Sequence, residues 1–225
     1  MLQSVLDLFF PKVCFACQFQ LSDFEQYICT HCRHGLPVTN FHLNNDDSVL
    51  KVFYGRAKLE QATALLRFEK KGITQQLMHQ LKYKGHEEIG VFLGKWLGAE
   101  LKDLKEYQTI DFVIPVPLHI KKLRKRGYNQ VAKFGQEIAL QLETDYCDDV
   151  LIKITNTASQ VNKTRLSRWI KNDALFSVKN REKLHNKHIL LVDDIITTGA
   201  TMEACVSVLR KAENVKISIA SMAIA

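Results

Sequence analysis

A chain of 225 residues, 46% hydrophobic and 24% charged, can bury one substantial core with a small accessory module beside it. Its net charge of +7 suits an anionic partner such as a phosphate, a nucleotide or a nucleic acid, although charge bears on association and not on fold. No apolar run approaches the roughly 20 residues that span a bilayer, so no transmembrane segment is predicted.

The opening MLQSVLDLFFPKVC is apolar but carries Asp7, lacks a basic leader region and has no small-residue cleavage site, so a cytoplasmic protein is expected. Cys14 and Cys17 then form one C-x-x-C, and Cys29 and Cys32 form another after eleven intervening residues. Two such knuckles offer four thiolates to one tetrahedral metal ion, for which zinc is the usual occupant. Two disulfides do not suit a reducing compartment, and a redox dithiol needs no duplicate. His31 and His34 are near enough to replace a thiolate, but with four thiols available they read as bystanders. Cys147 and Cys205 have no partners in sequence and read as buried or half-buried residues.

The stretch GLPVTNFHLNNDDSVLKVFYG is short on periodicity and rich in Asn and Asp. It suggests a linker near residues 40 to 50, dividing a zinc-finger module at 1–45 from a main domain at 46–225. Helical patterns follow at 73–83, with Ile73, Leu77 and Leu81 on one face, and at 87–102, with a turn at Gly85 between them. TIDFVIPVP, at 109–117, reads as a buried strand, and KKLRKRG as a basic loop after it. Val131, Phe134, Ile138 and Leu142 then mark one face of a helix. The unit repeats at the end: HILLVDD is a strand and TTGAT a turn. Met202, Cys205, Val206, Leu209 and Ala212 form a helix stripe, and VKISIASMAIA is a last strand. Strands alternating with helices predict an α/β fold, an open and mostly parallel sheet with helices on both faces. In such sheets ligands bind beyond the carboxyl ends of the strands.

ILLVDDIITTGAT lies at one such end. Gly199 lets the backbone approach a ligand closely, and the amides entering the next helix point outward with the positive end of the helix dipole behind them. Thr197, Thr198 and Thr201 add hydroxyl donors, while Asp193 and Asp194 are acceptors suited to a vicinal diol or to Mg²⁺. A sugar phosphate satisfies both halves. Helix capping alone, worth roughly 1 kcal/mol, explains one residue of the group and leaves the paired acids over. A nucleotide-hydrolase strand of similar pattern needs a G-x-x-x-x-G-K-[ST] elsewhere, and Gly90 to Lys95 is one residue too short and is followed by Trp96. A receiver domain needs more chain than follows Asp194. Five of the six residues from Lys121 to Arg126 are cationic, which leaves three readings open: pyrophosphate ligands, a nucleic-acid contact, or a plain surface.

These segments resemble known families. ILLVDDIITTGAT is similar to the thirteen-residue signature of type I phosphoribosyltransferases at every position. IPVPLHIKKLRKRGYNQ resembles the ComF family segment in which P-V-P-L-H is followed by basic residues and R-G-[FY]-N-Q. TASQVNKTRLSRWIKNDALF, with Gln160, Arg168, Asn172 and Phe176, resembles that family's T-x-x-Q and R-x-x-x-N-x-x-x-F, and the paired C-x-x-C completes the set. Tyr128 stands where Phe is common, and Lys122 where Arg often stands.

The resemblance implies a phosphoribosyltransferase-like domain behind a zinc finger, in a family associated with DNA uptake during natural transformation. By that likeness Asp193 and Asp194 hold ribose hydroxyls and assist Mg²⁺, while Thr197, Thr198, Gly199, Ala200 and Thr201 seat the 5-phosphate of phosphoribosyl pyrophosphate or a related sugar phosphate. Pro117, Leu118 and His119 lie near the pyrophosphate. Arg124, Arg126, Asn129 and Gln130 are further candidates for pyrophosphate or nucleic-acid contact. Single-stranded DNA and proteins of the uptake machinery are the implied macromolecular partners. No catalytic residue and no acceptor is assigned. Phosphoribosyl transfer and a non-catalytic DNA-handling or ligand-sensing role both stay open, because binding and catalysis use the same seat.

Overall fold

The computed structural model describes residues 11–154 and 175–225. Gln160, Arg168 and Asn172, named above for their resemblance, lie outside the described residues, as does the opening stretch through residue 10.

In chain order the described elements are α1 (Thr30–His34), α2 (Ser48–Lys51), β1 (Ala62–Arg67), α3 (Ile73–Tyr83), α4 (Glu88–Lys102), β2 (Phe112–Pro115), α5 (Ile120–Arg126), α6 (Ala132–Leu142) and β3 (Asp145–Tyr146). They continue with β4 (Leu151–Lys153), β5 (Phe176–Val178), a 3₁₀ turn at Arg181–Leu184, β6 (His188–Ile196), α7 (Ala200–Leu209) and β7 (Lys216–Ile224). Five strands form one sheet in the order β1-β7-β6-β2-β3, and every pairing in it is parallel. The expected open parallel sheet is present.

The strand at its centre explains how the sheet is covered on both faces. Along β6, Leu190 and Val192 enter one core, whereas Ile189 and Leu191 enter the other, the two-residue period of extended chain. The first core takes Leu77 and Leu81 of α3, Leu93 and Leu97 of α4, and Phe134 and Ile138 of α6. The second takes Met202, Cys205 and Leu209 of α7, with Phe53 and Phe176. Each strand of the interior is therefore apolar on both sides, as buried parallel strands require.

The cysteine-bearing segment is continuous with the first core. Cys14, Ala16, Leu21, Ile28, Cys32 and Leu36 are buried in the same cluster as α3 and α4. Just beyond it, Arg67 N donates to Pro37 O at 2.8 Å and Thr39 N to Leu65 O at 3.0 Å, so this chain covers the open edge of β1. The segment expected to be a linker carries Phe41, Val49 and Phe53 into the second core.

Two local expectations are corrected. The basic stretch after β2 is helix α5 and not a loop: His119 caps it by accepting from Lys121 N at 3.2 Å, Lys and Arg are good helix formers, and Gly127, at φ +88°, stops it. The cations in its last turn also suit the negative end of the helix dipole. The strand expected at 109–117 is regular only over Phe112–Pro115, and Pro117 just beyond it brings no amide to the ladder. The antiparallel ribbon of β4 with β5 was not expected at all. Among the described residues no helix is long and apolar enough to cross a membrane.

Candidate functional site

β2 and β6 are neighbours, with Pro115 beside Val192. The chain leaving β2 passes through α6 into the first core, while the chain leaving β6 passes through α7 into the second. The two connections therefore part at the carboxyl ends of these strands and leave a crevice between them, the place where open α/β sheets bind ligands. One wall is Pro117, Leu118 and His119; the other is Asp193 to Thr201.

The two acids are adjacent on a strand, so they project to opposite faces. Both are buried, at 8% and 7% exposure. Asp194 turns toward α3 and the start of α6, where Lys82 Nζ lies 2.9 Å from its Oδ2 and Gln130 Nε2 donates to the same oxygen at 2.8 Å. Asp193 turns toward the other face, within electrostatic reach of Lys153 and Cys205. Asp194 N donates to Asp193 Oδ1 at 2.8 Å. Burial first, and then the charge of Asp194, push the Asp193 carboxyl up to about 8, against the opposing pull of Lys82 and Lys153. Burial and the nearby Lys122 hold Lys153 below the ordinary lysine range. Its ammonium lies 5.0 Å from the centre of the Phe176 ring.

The turn after β6 has exposed Thr197, Thr198, Ala200 and Thr201 around a buried Gly199. Gly199 has φ +74° and stands at the start of α7, whose first amides face outward without intrahelical acceptors. A Cβ there would meet Phe53 Cε1 at 2.8 Å and Val52 Cγ1 at 3.1 Å. The glycine is needed for its left-handed backbone and for the close approach of the segment beneath it. Arg56 fixes that segment to the turn: its Nη1 donates to Thr198 O at 2.7 Å and its Nε to Glu203 Oε2 at 3.0 Å. Thr198 Oγ1 accepts from Ala200 N at 3.4 Å. The result is a turn of exposed residues around Gly199, next to two buried carboxylates.

On the opposite wall, Asn129 Nδ2 donates to Val116 O at 3.1 Å and so ties the start of α6 to the end of β2. Arg126 donates to Gln130 Oε1, and Gln130 in turn donates to Asp194. Of the candidates named from sequence, Gln130 is thereby joined to the acid pair directly and Arg126 through it. Arg124 is exposed on α5. Three residues of the site escaped sequence reasoning: Lys82, Lys153 and Arg56. Lys82 falls in an ordinary amphipathic helix, Lys153 in a three-residue strand, and Arg56 sits 142 residues from the carbonyl it holds. None carries a local motif, and only the topology brings them together.

The four cysteines of the N-terminal segment converge, all four Sγ atoms lying within 4.8 Å of one another. Cys17 Sγ and Cys29 Sγ are 3.7 Å apart, close to the ~3.8 Å edge of a tetrahedron with Zn–S bonds of about 2.3 Å. Burial works to raise the Cys14 thiol, but amides of Cys17, Cys29 and Ala16 bring it down to about 7. Cys29 N approaches its sulfur at 3.3 Å, and Cys32 N approaches Cys29 Sγ at 3.4 Å, the amide-to-thiolate contacts typical of zinc knuckles. The donor set fits a structural zinc ion. His31 and His34 are exposed and outside the cluster. Cys147 donates to Asp149 Oδ1 at 3.1 Å, and Cys205 is buried.

Residues 132–224 match the family model described as Phosphoribosyl transferase domain. Along most of its length the chain is similar to competence protein F of Haemophilus influenzae, with 25% identity over 208 residues, 88% of this chain and 84% of that protein. It is 26% identical to the DNA utilization protein YhgH of Escherichia coli O157:H7 over 212 residues, 85% of this chain and 88% of that one. It is 25% identical to competence protein ComFC of Bacillus subtilis over 198 residues, 85% of this chain and 75% of that one.

Proposed function

We propose that this chain, a relative of competence protein F, YhgH and ComFC with a phosphoribosyl transferase domain, binds phosphoribosyl pyrophosphate with Mg²⁺ at the end of β6 and acts in the uptake or use of DNA. The observation that carries the reading is the succession, within nine residues of one strand end, of two buried carboxylates and an outward-facing glycine turn. Carboxylates accept from ribose hydroxyls, and the amides of Gly199 to Thr201 with the hydroxyls of Thr197, Thr198 and Thr201 surround a 5-phosphate. Pro117, Leu118 and His119 then face the pyrophosphate. Mg²⁺, when bound, supplies charge neutralisation for the pyrophosphate oxygens.

In transfer, the bond from C1 of the ribose to the pyrophosphate oxygen breaks and its electron pair leaves with pyrophosphate. An acceptor lone pair forms the new bond to C1, and the acceptor's proton passes to a base or to water. Positive charge accumulates on the sugar and negative charge on the leaving group, so a carboxylate near the ribose and a cation near the pyrophosphate lower the barrier together. Four thiolates complete a tetrahedral coordination shell, so a zinc ion held there would have a structural role.

The test is calorimetric titration of the protein with phosphoribosyl pyrophosphate and Mg²⁺, set against the Asp193→Asn, Asp194→Asn double variant. Binding by wild type and its loss in the variant are expected; equal binding by both refutes the site. A second reading, a DNA-handling accessory that binds without turnover, is favoured by the exposed cations of α5. Pyrophosphate release that depends on an added acceptor separates the two.

A further inference from the structure

We propose that the cleft between the end of α3 and helix α5 is a nucleotide seat, in which a base stacks on Tyr83 and the adjoining phosphate is held by Lys122, Lys125 and Arg126. The cleft has a volume of ≈ 390 Å³, within the range of about 300–1,000 Å³ usual for small-molecule sites. Its lining sorts the cations of α5. Lys122, Lys125 and Arg126, at helical spacings of three and four, line the cleft, whereas Lys121 and Arg124 are not among its lining residues. Helical periodicity thus gathers three of the five cations on the face that meets Tyr83.

The aromatic component is equally specific. Tyr83 is 69% exposed, and the Arg126 guanidinium lies 5.9 Å from the centre of its ring. An exposed ring beside a row of cations is the arrangement on which bases of single strands and free nucleotides stack, with the phosphates following the positive groups. Tyr128 closes the floor by donating its hydroxyl to Leu81 O, which holds the end of α3 against the start of α6.

The cleft also shares a wall with the acid pair. Lys82 lines it and is paired with Asp194, and Arg126 reaches the same carboxylate through Gln130. A nucleotide seated here lies beside the acid pair and the sugar-phosphate seat proposed there. In that respect the inference rests on the function proposed above, but its test uses neither Mg²⁺ nor phosphoribosyl pyrophosphate, so the two readings fail separately.

The experiment is fluorescence anisotropy of a labelled oligothymidylate of ~16 nucleotides with the full-length, zinc-loaded protein across a salt series. Tyr83→Ala is expected to weaken binding roughly fivefold or more, and Tyr83→Phe to retain it, because stacking needs only the ring. Lys122→Gln with Lys125→Gln should lower the log–log salt slope by about 1.4. Lys121→Gln with Arg124→Gln, which lie outside the cleft, should lower it by less than half as much. Unlabelled thymidine monophosphate that competes identifies a free nucleotide, and competition by unlabelled strand alone identifies a unit within a strand; both are the predicted seat. No binding, Tyr83→Ala binding like wild type, or equal loss from the two cation pairs overturns the proposal.

Discussion

Lys82, near the end of α3, holds Asp194, near the end of β6, through an ion pair of 2.9 Å whose acceptor oxygen also takes the Gln130 amide. The pair joins a helix of the first core to the strand that carries the acids. Its side chains are 22% and 10% exposed, so removal of one partner leaves a largely desolvated charge. Lys82→Met should lower stability by roughly 1–3 kcal/mol, less than the 3–5 kcal/mol of a fully buried pair. Adding Asp194→Asn should return part of that loss. Denaturant midpoints of the four proteins in the cycle measure it, and additivity within about 0.5 kcal/mol would show that the two residues are not coupled.

Gly199 makes a second prediction. Gly199→Ala forces a left-handed backbone on a residue with a Cβ and presses that atom against Phe53. The strain alone is about 1–2 kcal/mol, and the contact adds to it. In a Phe53→Ala background the contact is removed and only the backbone strain is left. The cost of Gly199→Ala should therefore be smaller there, as thermal midpoints will show.

Asp193 gives the fold a pH dependence of known sign. Its folded pKa, about 8, is raised from the ordinary 3.8, so the folded chain keeps a proton that the unfolded chain gives up. Its contribution to stability is full below pH ~4, declines as pH rises, and levels off above ~8. Asp193→Asn does not titrate. Measured without Mg²⁺, the stability of this variant relative to wild type should climb between those limits and then become constant. A difference that is flat across the range would mean that Asp193 ionises normally.

The cysteine cluster predicts one zinc per chain. Cys32→Ser should lose the metal, and because Cys32 shares a core with Leu77 and Leu81 it should also lower the midpoint of the whole protein. Elemental analysis and a thermal scan decide the two parts. A metal-free variant with the wild-type midpoint would contradict the shared core.

What the sequence disclosed was local in origin. The doubled C-x-x-C, the alternation of Ile189 to Val192 and the step from Asp194 to Gly199 each express a geometry fixed by neighbours in the chain. Helix α5 was misread because its signal is weak: the helix is a single short run, and its cap is a histidine rather than the usual Ser, Thr, Asp or Asn. The β4–β5 ribbon pairs three residues with three, too few to show an alternation. Lys82, Lys153 and Arg56 were invisible for a different reason. Each is defined by a partner far away in sequence, and no spacing rule links a lysine in a helix to an acid on a strand that follows much later.

The central claim is that the acids and the glycine turn form one seat for phosphoribosyl pyrophosphate, and the thermal midpoint of the purified protein with and without that ligand and Mg²⁺ tests it most directly. At 100 times its dissociation constant, a ligand bound only to the folded state stabilises by about 2.7 kcal/mol. For a chain of this size that is a rise of roughly 5–11 °C. The rise should disappear in Asp193→Asn with Asp194→Asn. A wild-type midpoint that does not move, or a double variant that responds as strongly as wild type, would contradict the claim.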